Sequence, residues 1–288
     1  MARCKVCQIS FKKLGVNFGV KCCQSCTCFF RRTVALRIVY ICRSKSDCEV
    51  LGASRKPIIE YSRILKINYE TLLAYYQIQT KRAIRTKNPT FFESNQNLSK
   101  PCLSFANYWL NKKVDERVAI EMSNCCPGNE LLSNRDHEVL SKAAFFVCHW
   151  LDSAWMTSVK LGDSGDKMMH TDGTTTDINT ISCTWYDEPT RLFLWKFNKK
   201  VCNPLRQQKF DSFEYAALKC VVMWKLKHSN GDRYRMVARE NCKVAFRSLR
   251  RYYRLEKKLS QCEIESKVDS LKLLIKPIIT CYRDSTKL

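Results

Sequence analysis

Apolar residues recur at helical spacing through the later two-thirds of the chain. From about residue 101 onward, several segments place apolar side chains at i, i+3, i+4 and i+7, and polar stretches separate them. The segments are FANYWLNKKVDERVAIEM, DHEVLSKAAFFVCHWLDSAW, FDSFEYAALKCVVMWKL, MVARENCKVAFRSLRRYYRLEKKL and VDSLKLLIKPIITCY. Each has one apolar face to bury, so together they predict a mainly α-helical domain over residues 105–288.

Two intervening stretches lack this repeat. The run from Gly162 to Thr180 is rich in Gly, Asp and Thr and predicts a loop. The segment CTWYDEPTRLFLWKF that follows alternates weakly between apolar and polar residues, which favours a short hairpin around Glu188 and Pro189.

A linker is predicted ahead of the helical domain. The segment YETLLAYYQIQTKRAIR can extend a helix, but Asn88, Pro89 and the polar run from Glu93 to Lys100 interrupt any packed pattern. We therefore expect a hinge over residues 69–104 and a separate N-terminal domain over residues 1–68.

Cysteines organise the N-terminal domain. Their spacing is C-x2-C-x15-C-x2-C, formed by Cys4, Cys7, Cys23 and Cys26. Two such pairs suit a tetrahedral zinc ion, so these four thiolates are the predicted ligands. Cys22 competes with Cys23, but a C-x2-C pair at a helix start lets two thiolates converge on one ion, which favours Cys23.

A helix that begins at Cys23 has two different faces. With about 100° per residue, Cys26, Phe29 and Phe30 share an apolar face. The opposite face carries Gln24, Thr27, Cys28, Arg31 and Arg32. Guanidinium groups can fork onto a phosphate or a guanine edge, so this face is typical of a recognition helix in a DNA major groove.

The charge distribution favours a polyanionic partner. The chain carries +23, and residues 1–68 hold 14 Lys or Arg against three acidic residues. Lys12, Lys13 and Lys21 lie near the cysteine pairs, where they can neutralise phosphates. A basic surface that only aids solubility is the alternative, but the first 46 residues contain no acidic residue.

Cysteine usage points to a reduced, intracellular protein. Eighteen cysteines would indicate a disulfide scaffold in a short secreted chain, but this chain has 288 residues and opens without an apolar signal segment. No apolar run approaches the ~20 residues of a membrane span, so we expect no membrane partner. Eight cysteines fall in the first 48 residues, and the ten later ones are expected as buried, small apolar side chains.

The run GVNFGVKCCQSCTCFFRR resembles the DNA-binding domain of nuclear hormone receptors, and the chain as a whole is most similar to their divergent nematode branch. In that register Gln24, Thr27, Arg31 and Arg32 correspond to positions that contact bases and phosphates, with Phe29 and Phe30 in the core. The resemblance implies a small zinc-stapled helical and loop module. Two features differ from better-studied members of the family: Gln24 and Thr27 stand at base-contacting positions, and the spacer between the two cysteine pairs is two residues longer than usual. The DNA sequence that this chain prefers therefore cannot be inferred from the family.

The second zinc module of that family is incomplete here. Cys42 and Cys48 form its C-x5-C opening, but Ile58 and Tyr61 stand where the remaining pair is expected. Two thiolates alone make a poor structural zinc site. One zinc ion is therefore expected, with the Cys42 and Cys48 site doubtful; apolar packing in place of metal and a missing exon both explain the loss.

The helical region resembles the ligand-binding domain of the same family. LLSNRDHEVLSK matches its Leu-x3-Asp-x3-Leu-x-Lys signature through Leu132, Asp136, Leu140 and Lys142. Pro127 matches the end of the preceding helix, and FEYAALK matches a Glu-x-x-x-Leu-Lys helix through Glu214, Leu218 and Lys219. No activation helix is recognisable after Tyr282. Aromatic and Met residues at helical spacing (Trp150, Trp155, Met156, Met168 and Met169) are either ligand contacts or plain core.

No catalytic motif is apparent. The four histidines, His137, His149, His170 and His228, stand outside HExxH and Gly-rich phosphate motifs, so we expect no enzyme. The sequence predicts a nuclear, sequence-specific transcription factor that binds double-stranded DNA, with a small lipophilic ligand and a receptor homo- or heterodimer as further partners. The alternative is a receptor-like chain that does not bind DNA and instead dimerises with, or titrates, intact receptors.

Overall fold

The computed structural model describes residues 2–5, 10–11, 14–17, 20–24, 26–28, 72–88, 100–102, 105–161, 166–179, 187–226 and 231–287. The chain divides into two compact units, Met1–Lys66 and Ile67–Leu288. We describe each unit by itself.

The first unit contains two short antiparallel strand pairs. Strands β1 (Ala2–Arg3) and β2 (Ser10–Phe11) form one pair, and β3 (Gly15–Asn17) and β4 (Val20–Cys22) form the other. Residues 24 and 26–28 are helical, and we call the helix to which they belong the finger helix. A hairpin followed at once by a helix start places the end of β4 beside that helix.

The described part of the second unit is built from nine α-helices and one small sheet. The helices are α1 (Leu72–Lys87), α2 (Phe105–Cys125), α3 (Asn134–Phe146), α4 (Asp152–Lys160), α5 (Glu188–Phe197), α6 (Asn203–Gln208), α7 (Ser212–Lys225), α8 (Asp232–Leu255) and α9 (Gln261–Ser285). A 3₁₀ turn (Asn129–Leu131) and two π-helical segments (Val147–Leu151 and Asn198–Cys202) lie between them. In the sheet, β7 (Thr174–Asp177) pairs in parallel with β5 (Lys100–Cys102) and antiparallel with β6 (Lys167–Met169).

Helix α7 forms the centre of the second unit. Its residues from Glu214 to Trp224 are all buried, and it packs against α1, α8 and α9. Lys219 is fully buried there, and its Nζ lies 2.8 Å from both carboxylate oxygens of Asp152, which is also fully buried. A buried ammonium needs such a paired, hydrogen-bonded carboxylate, because an unpaired charge in the core is costly.

Three helices begin with reciprocal capping boxes, which explains two of the motifs singled out in the sequence. Ser133 caps α3 with Asp136, Asp211 caps α7 with Glu214, and Ser260 caps α9 with Glu263. In each box the two side chains satisfy backbone N–H groups that have no partner within the helix. The acidic residues of the Leu-x3-Asp and Glu-x-x-x-Leu-Lys motifs therefore define helix starts.

The structure differs from the hinge expected over residues 69–104. Helix α1 occupies part of that range and packs against α7 within the second unit. The buried side chains of α1 are Leu72, Leu73, Tyr76, Thr80, Ala83 and Ile84. The polar residues near Asn88 interrupt the pattern only after this apolar face is complete, so the segment belongs to the core.

The predicted hairpin around Glu188 and Pro189 is wrong, because these residues begin helix α5. The Asp187 side chain accepts the Thr190 N–H at 3.0 Å as an N-cap, and proline suits the first turn because its missing N–H is not needed there. The loop predicted from Gly162 to Thr180 contains the β6–β7 pair, whose turn is closed by Gly173 at φ 88°. Only glycine adopts that backbone readily.

The later cysteines only partly follow the expectation of burial. Cys126, Cys148, Cys202, Cys220 and Cys281 are buried, whereas Cys125 and Cys262 are exposed and Cys242 is half-buried. Burial raises the pKa of the Cys148 thiol to about 12, as expected for an inert core thiol. Among the helices that the structure describes, none is both long and apolar enough to cross a membrane.

Candidate metal centre, nucleic-acid face and ligand cavity

Three cysteine sulfurs of the first unit converge on one point. The Sγ atoms of Cys4, Cys23 and Cys26 all lie within 4.8 Å of one another, with Cys4 and Cys23 buried and Cys26 half-buried. In a tetrahedral site with Zn–S bonds near 2.3 Å, neighbouring sulfurs are about 3.8 Å apart. The cluster therefore fits three corners of a zinc site, while Cys7, the fourth predicted ligand, lies outside the described residues.

Backbone N–H groups point at these sulfurs. The Cys23 N–H donates to Cys4 Sγ at 3.3 Å, and the Cys26 N–H donates to Cys23 Sγ at 3.5 Å. The Lys5 N–H donates to the Lys21 carbonyl at 3.0 Å, which holds the first cysteine beside β4. Donors aimed at sulfur favour the thiolate that a metal requires, and the start of a helix adds to that effect.

Cys22 is buried, but its sulfur is outside the cluster. It lies 3.2 Å from the Thr27 hydroxyl and is not among the three sulfurs that converge. Cys23, which the sequence favoured over Cys22, therefore joins the sulfur cluster, and Cys22 is a buried thiol outside it.

The predicted DNA-contacting residues that the structure describes have different environments. Gln24 and Lys21 are exposed, as is Lys5. Thr27 is half-buried, and its hydroxyl donates to the Cys23 carbonyl at 3.1 Å. Arg31, Arg32, Lys12 and Lys13 lie outside the described residues, as do Cys42 and Cys48 of the incomplete second module.

The second unit contains an open cavity of about 820 Å³. It is bordered by α2, α3, the first π-helical segment and the end of α9. Its aromatic lining consists of Tyr108, Trp109, Phe145, Phe146, Trp150 and Tyr282. Of the five aromatic and Met residues considered in the sequence, Trp150 lines this cavity, while Trp155, Met156, Met168 and Met169 are buried and are not among its lining residues.

A buried polar group holds one histidine of the cavity wall. His149 Nδ1 lies 2.8 Å from an Asp115 carboxylate oxygen, which accepts, so this nitrogen donates. The Lys87 ammonium donates to the other oxygen of Asp115 and, at 2.5 Å, to Thr171. The His149 ring stacks on Phe145 with centroids 5.3 Å apart.

A second buried histidine lies in the turn between β6 and β7. His170 Nε2 is 2.7 Å from the Thr176 hydroxyl, and burial lowers the pKa of this imidazole to about 4. Burial alone would raise the pKa of nearby Asp172, but hydrogen bonds from Thr174 and Asn111 hold it below its ordinary value. Sequence patterns missed the contact between Asn111 and Asp172 because these residues lie 61 positions apart in the chain.

Family models match both parts of the chain. The model for the ligand-binding domain of nuclear hormone receptors matches residues 95–276, and the model for the double treble clef zinc finger, C4 type, matches residues 2–67. The zinc-finger match thus extends across the incomplete second module.

Curated relatives agree with the family models. Nuclear hormone receptor family member nhr-217 of Caenorhabditis elegans is 24% identical over 345 residues, covering 99% of this chain and 84% of the relative. Member nhr-169 of the same organism is 25% identical over 351 residues, covering 99% of this chain and 93% of the relative. Over only 48 residues, which are 17% of this chain and 12% of the relative, member nhr-16 is 44% identical.

These matches confirm the family and fold predicted from the sequence, including the zinc cofactor. Members of the family are generally transcription factors rather than enzymes. With a sulfur cluster at the start of its finger helix and a mostly helical second unit, the chain belongs to the nuclear hormone receptor family, with a zinc-binding C4 DNA-binding domain followed by a ligand-binding domain.

Proposed function

We propose that the chain is a nuclear transcription regulator, without enzymatic activity, that reads double-stranded DNA with the finger helix. The observation that carries this proposal is the convergence of the Cys4, Cys23 and Cys26 sulfurs at the start of that helix, beside the exposed Gln24. A zinc ion bound by these three sulfurs, with Cys7 as the fourth ligand, would fix the orientation of the helix. The exposed face is then available for a major groove.

Each polar residue predicted to contact DNA has a distinct role in this proposal. Gln24 can pair with adenine through two hydrogen bonds, and the arginines Arg31 and Arg32 can fork onto guanine or phosphate. The hydroxyl proton of Thr27 is engaged by the Cys23 carbonyl, so the group that Thr27 offers to DNA is its methyl. Lys21, Lys12 and Lys13 supply phosphate contacts, which position the helix without reading sequence.

Arg32 and Lys12 test this division of roles. Replacing Arg32 by Ala should cost about 1–3 kcal/mol on the preferred site and relax its sequence preference. Replacing Lys12 by Ala should weaken binding to all duplexes alike and lower the salt slope by about one unit. Mobility shift against a random-sequence pool, with and without a zinc chelator, measures both effects; equal losses on all sequences for the two variants would contradict the proposal.

Ligand regulation is proposed for the aromatic cavity. Its volume of about 820 Å³ lies within the range of about 300–1,000 Å³ typical of small-molecule sites. A lipophilic ligand would place its apolar body against the aromatic wall and form one hydrogen bond with the His149 imidazole.

Tryptophan fluorescence can test the cavity directly. Trp109 and Trp150 line it, whereas Trp195 is exposed on α5 and is not among its lining residues. Lipophilic alcohols that bind there should change the emission of the wild type and of a Trp195→Phe variant. The change should shrink in Trp150→Phe, and an unchanged response in that variant would place binding elsewhere.

The second candidate function is a partner that titrates intact receptors. It is favoured by Ile58 and Tyr61, which replace two ligands of the second module that, in the family, braces the first helix and supplies dimer contacts. If the wild type retains no duplex at low salt but co-purifies with a receptor, this function replaces the first.

A further inference from the structure

Helix α8 of the second unit has a face made almost entirely of cations. Its 24 residues contain eight Lys or Arg and two acidic residues. With about 100° per residue, the basic residues lie within an arc of about 160°. They are Arg233, Arg235, Arg239, Lys243, Arg247, Arg250, Arg251 and Arg254, which we call the α8 stripe.

The opposite face of α8 is buried, so the stripe is held on a fixed surface. Tyr234, Val244 and Leu249 are fully buried among the residues of the core face. Apart from Asp232 and Leu255, every exposed residue of α8 is Lys or Arg. From Arg235 to Arg254 the stripe is about 28 Å long, at 1.5 Å per residue.

The stripe carries more positive charge than the acidic residues of its own helix balance. Ion pairs join Arg235 to Asp232, Lys243 to Glu240 and Arg250 to Glu265, at 2.7–2.9 Å. Residues 69–288 carry 36 basic and 24 acidic residues, so α8, at +6, holds half of the excess charge of this region. Charge kept only for solubility would be interspersed with the opposite sign rather than concentrated on one helix.

The lack of exposed apolar groups on the stripe argues against a membrane surface. Helices that bind in the lipid interface insert a face with Trp, Phe or Leu, but the apolar face of α8 is already packed in the protein. Single-stranded nucleic acid needs free aromatic rings for base stacking. Two aromatic side chains fall within the arc. Tyr253 is buried, and Phe246 is half-buried with Lys272 Nζ 5.9 Å from its ring centre.

We propose that the α8 stripe is a second duplex-DNA contact, which binds the phosphate backbone without reading sequence. A straight rod of about 28 Å matches about eight base pairs at 3.4 Å each, over which the duplex presents a regular row of phosphates. The proposal rests in part on the DNA-binding function proposed above, since DNA bound by the first unit raises the local phosphate concentration around the second.

The test compares two triple variants of the full chain with equal loss of charge. The stripe variant carries Arg239→Gln, Arg247→Gln and Arg251→Gln, and the control carries Lys113→Gln, Arg117→Gln and Lys200→Gln at exposed positions on other elements. Glutamine has nearly the helix propensity of the residues it replaces, so both variants should fold. Duplex affinity is measured by fluorescence anisotropy from 50 to 200 mM salt.

We expect the stripe variant to lower the slope of log Kobs against log salt by about 2.7, or about 0.9 for each lost phosphate contact. The control should keep the wild-type slope to within about one unit. Equal slopes for the two variants would overturn the proposal, because the stripe would then act only through net charge. Loss of binding to phosphatidylserine vesicles in the stripe variant, with duplex binding unchanged, would also overturn it in favour of a membrane surface.

A Cys23→Ala background distinguishes this proposal from the function of the finger helix. If both are correct, Cys23→Ala should abolish sequence preference but leave weak, salt-dependent duplex binding that the stripe variant removes. Residual binding that the stripe variant does not change refutes the second contact alone. Unchanged sequence preference in Cys23→Ala refutes the finger-helix function. The second contact is then judged only by the salt slopes of the stripe variant and the control.

Discussion

At the scale of single residues, two adjacent cysteines have opposite roles. The Cys23 sulfur joins Cys4 and Cys26 and accepts the Cys26 N–H, whereas the Cys22 sulfur contacts the Thr27 hydroxyl. From the spacing, either Cys22 or Cys23 could be the third ligand. In the structure only the Cys23 sulfur joins the cluster.

Zinc content should follow this difference. Cys23→Ala removes one of four ligands and should reduce tightly bound zinc from about one ion per chain to well below one. Cys22→Ala removes a packed thiol outside the cluster and should keep the ion. Elemental analysis after dialysis against a weak chelator measures both; zinc retention in Cys23→Ala together with loss in Cys22→Ala would reverse the assignment.

His170 should make stability depend on pH. Its pKa is about 4 when buried and near 6.5 in an unfolded chain, so between these values the unfolded state binds more protons. Stability conferred by the neutral ring is therefore complete above about pH 6.5 and is lost as the pH falls towards 4. Changing the pH from 7 to 4.5 should cost the wild type about 2 kcal/mol more than His170→Gln.

Urea unfolding at the two pH values measures this difference. Glutamine can keep a hydrogen bond to Thr176 but does not titrate, so it is the matched control for the histidine. An identical pH dependence in the two proteins would mean that the pKa of His170 is the same in the folded and unfolded states.

At the scale of elements, Gly128 shows how one residue sets the entry to α3. It has φ +88°, and a Cβ at this position would lie 2.8 Å from Cγ1 of the buried Val237 on α8. Asn241 on the same helix donates to the neighbouring Pro127 carbonyl at 3.0 Å. The turn after α2 therefore contacts α8 at two adjacent residues, through the Pro127 carbonyl and the Gly128 backbone.

Gly128→Ala should lower the stability of the second unit strongly, although it adds only one methyl group. The left-handed backbone alone costs a residue with a side chain roughly 1–3 kcal/mol, and the contact with Val237 adds to that cost. Thermal unfolding should show a lowered Tm, and Val237→Ala should recover part of the loss by removing the clash. If Gly128→Ala melts like the wild type, the turn must have another accessible conformation.

The sequence predicted those elements whose periodicity is long, and it missed those fixed by caps or distant contacts. Helices α2, α7, α8 and α9 follow the repeat of apolar residues over four or more turns. Helix α5 was missed because Asp187 and Pro189, which start it, also occur in turns. The spacing of the cysteines and the expected helix start predicted the three sulfurs of the metal centre. The contacts of Asp115 with Lys87 and His149 were not predictable, because the three residues come from three different elements.

At the scale of the whole molecule, helix α1 is the first described helix of the second unit and part of its core. Its side chains form hydrogen bonds with α2 and α7. Trp224 Nε1 on α7 donates to the Tyr76 hydroxyl at 3.0 Å, and the Tyr75 hydroxyl donates to the Met122 carbonyl at 2.8 Å. Lys219 Nζ also donates to the Thr80 hydroxyl at 3.0 Å, which links α1 to the buried pair with Asp152.

Removing α1 should therefore unfold the second unit, which makes truncation a test of its boundary. A 101–288 fragment loses the fully buried Leu72, Leu73, Tyr76, Ala83 and Ile84. At about 1.5–3 kcal/mol for each large side chain, this loss is comparable with the total stability of about 5–15 kcal/mol of an ordinary domain.

A 67–288 fragment keeps the whole core and should give a helical circular-dichroism spectrum with a cooperative melt, whereas 101–288 should melt at a much lower temperature or without a transition. Tyr76→Phe in the longer fragment loses the hydroxyl that accepts from Trp224 and hydrogen-bonds with Cys220. It should cost about 1–3 kcal/mol, an intermediate effect that calibrates the assay. If the two fragments melt alike, α1 lies on a core that is complete without it, and the linker predicted over residues 69–104 would describe the solution behaviour better than the packed helix does.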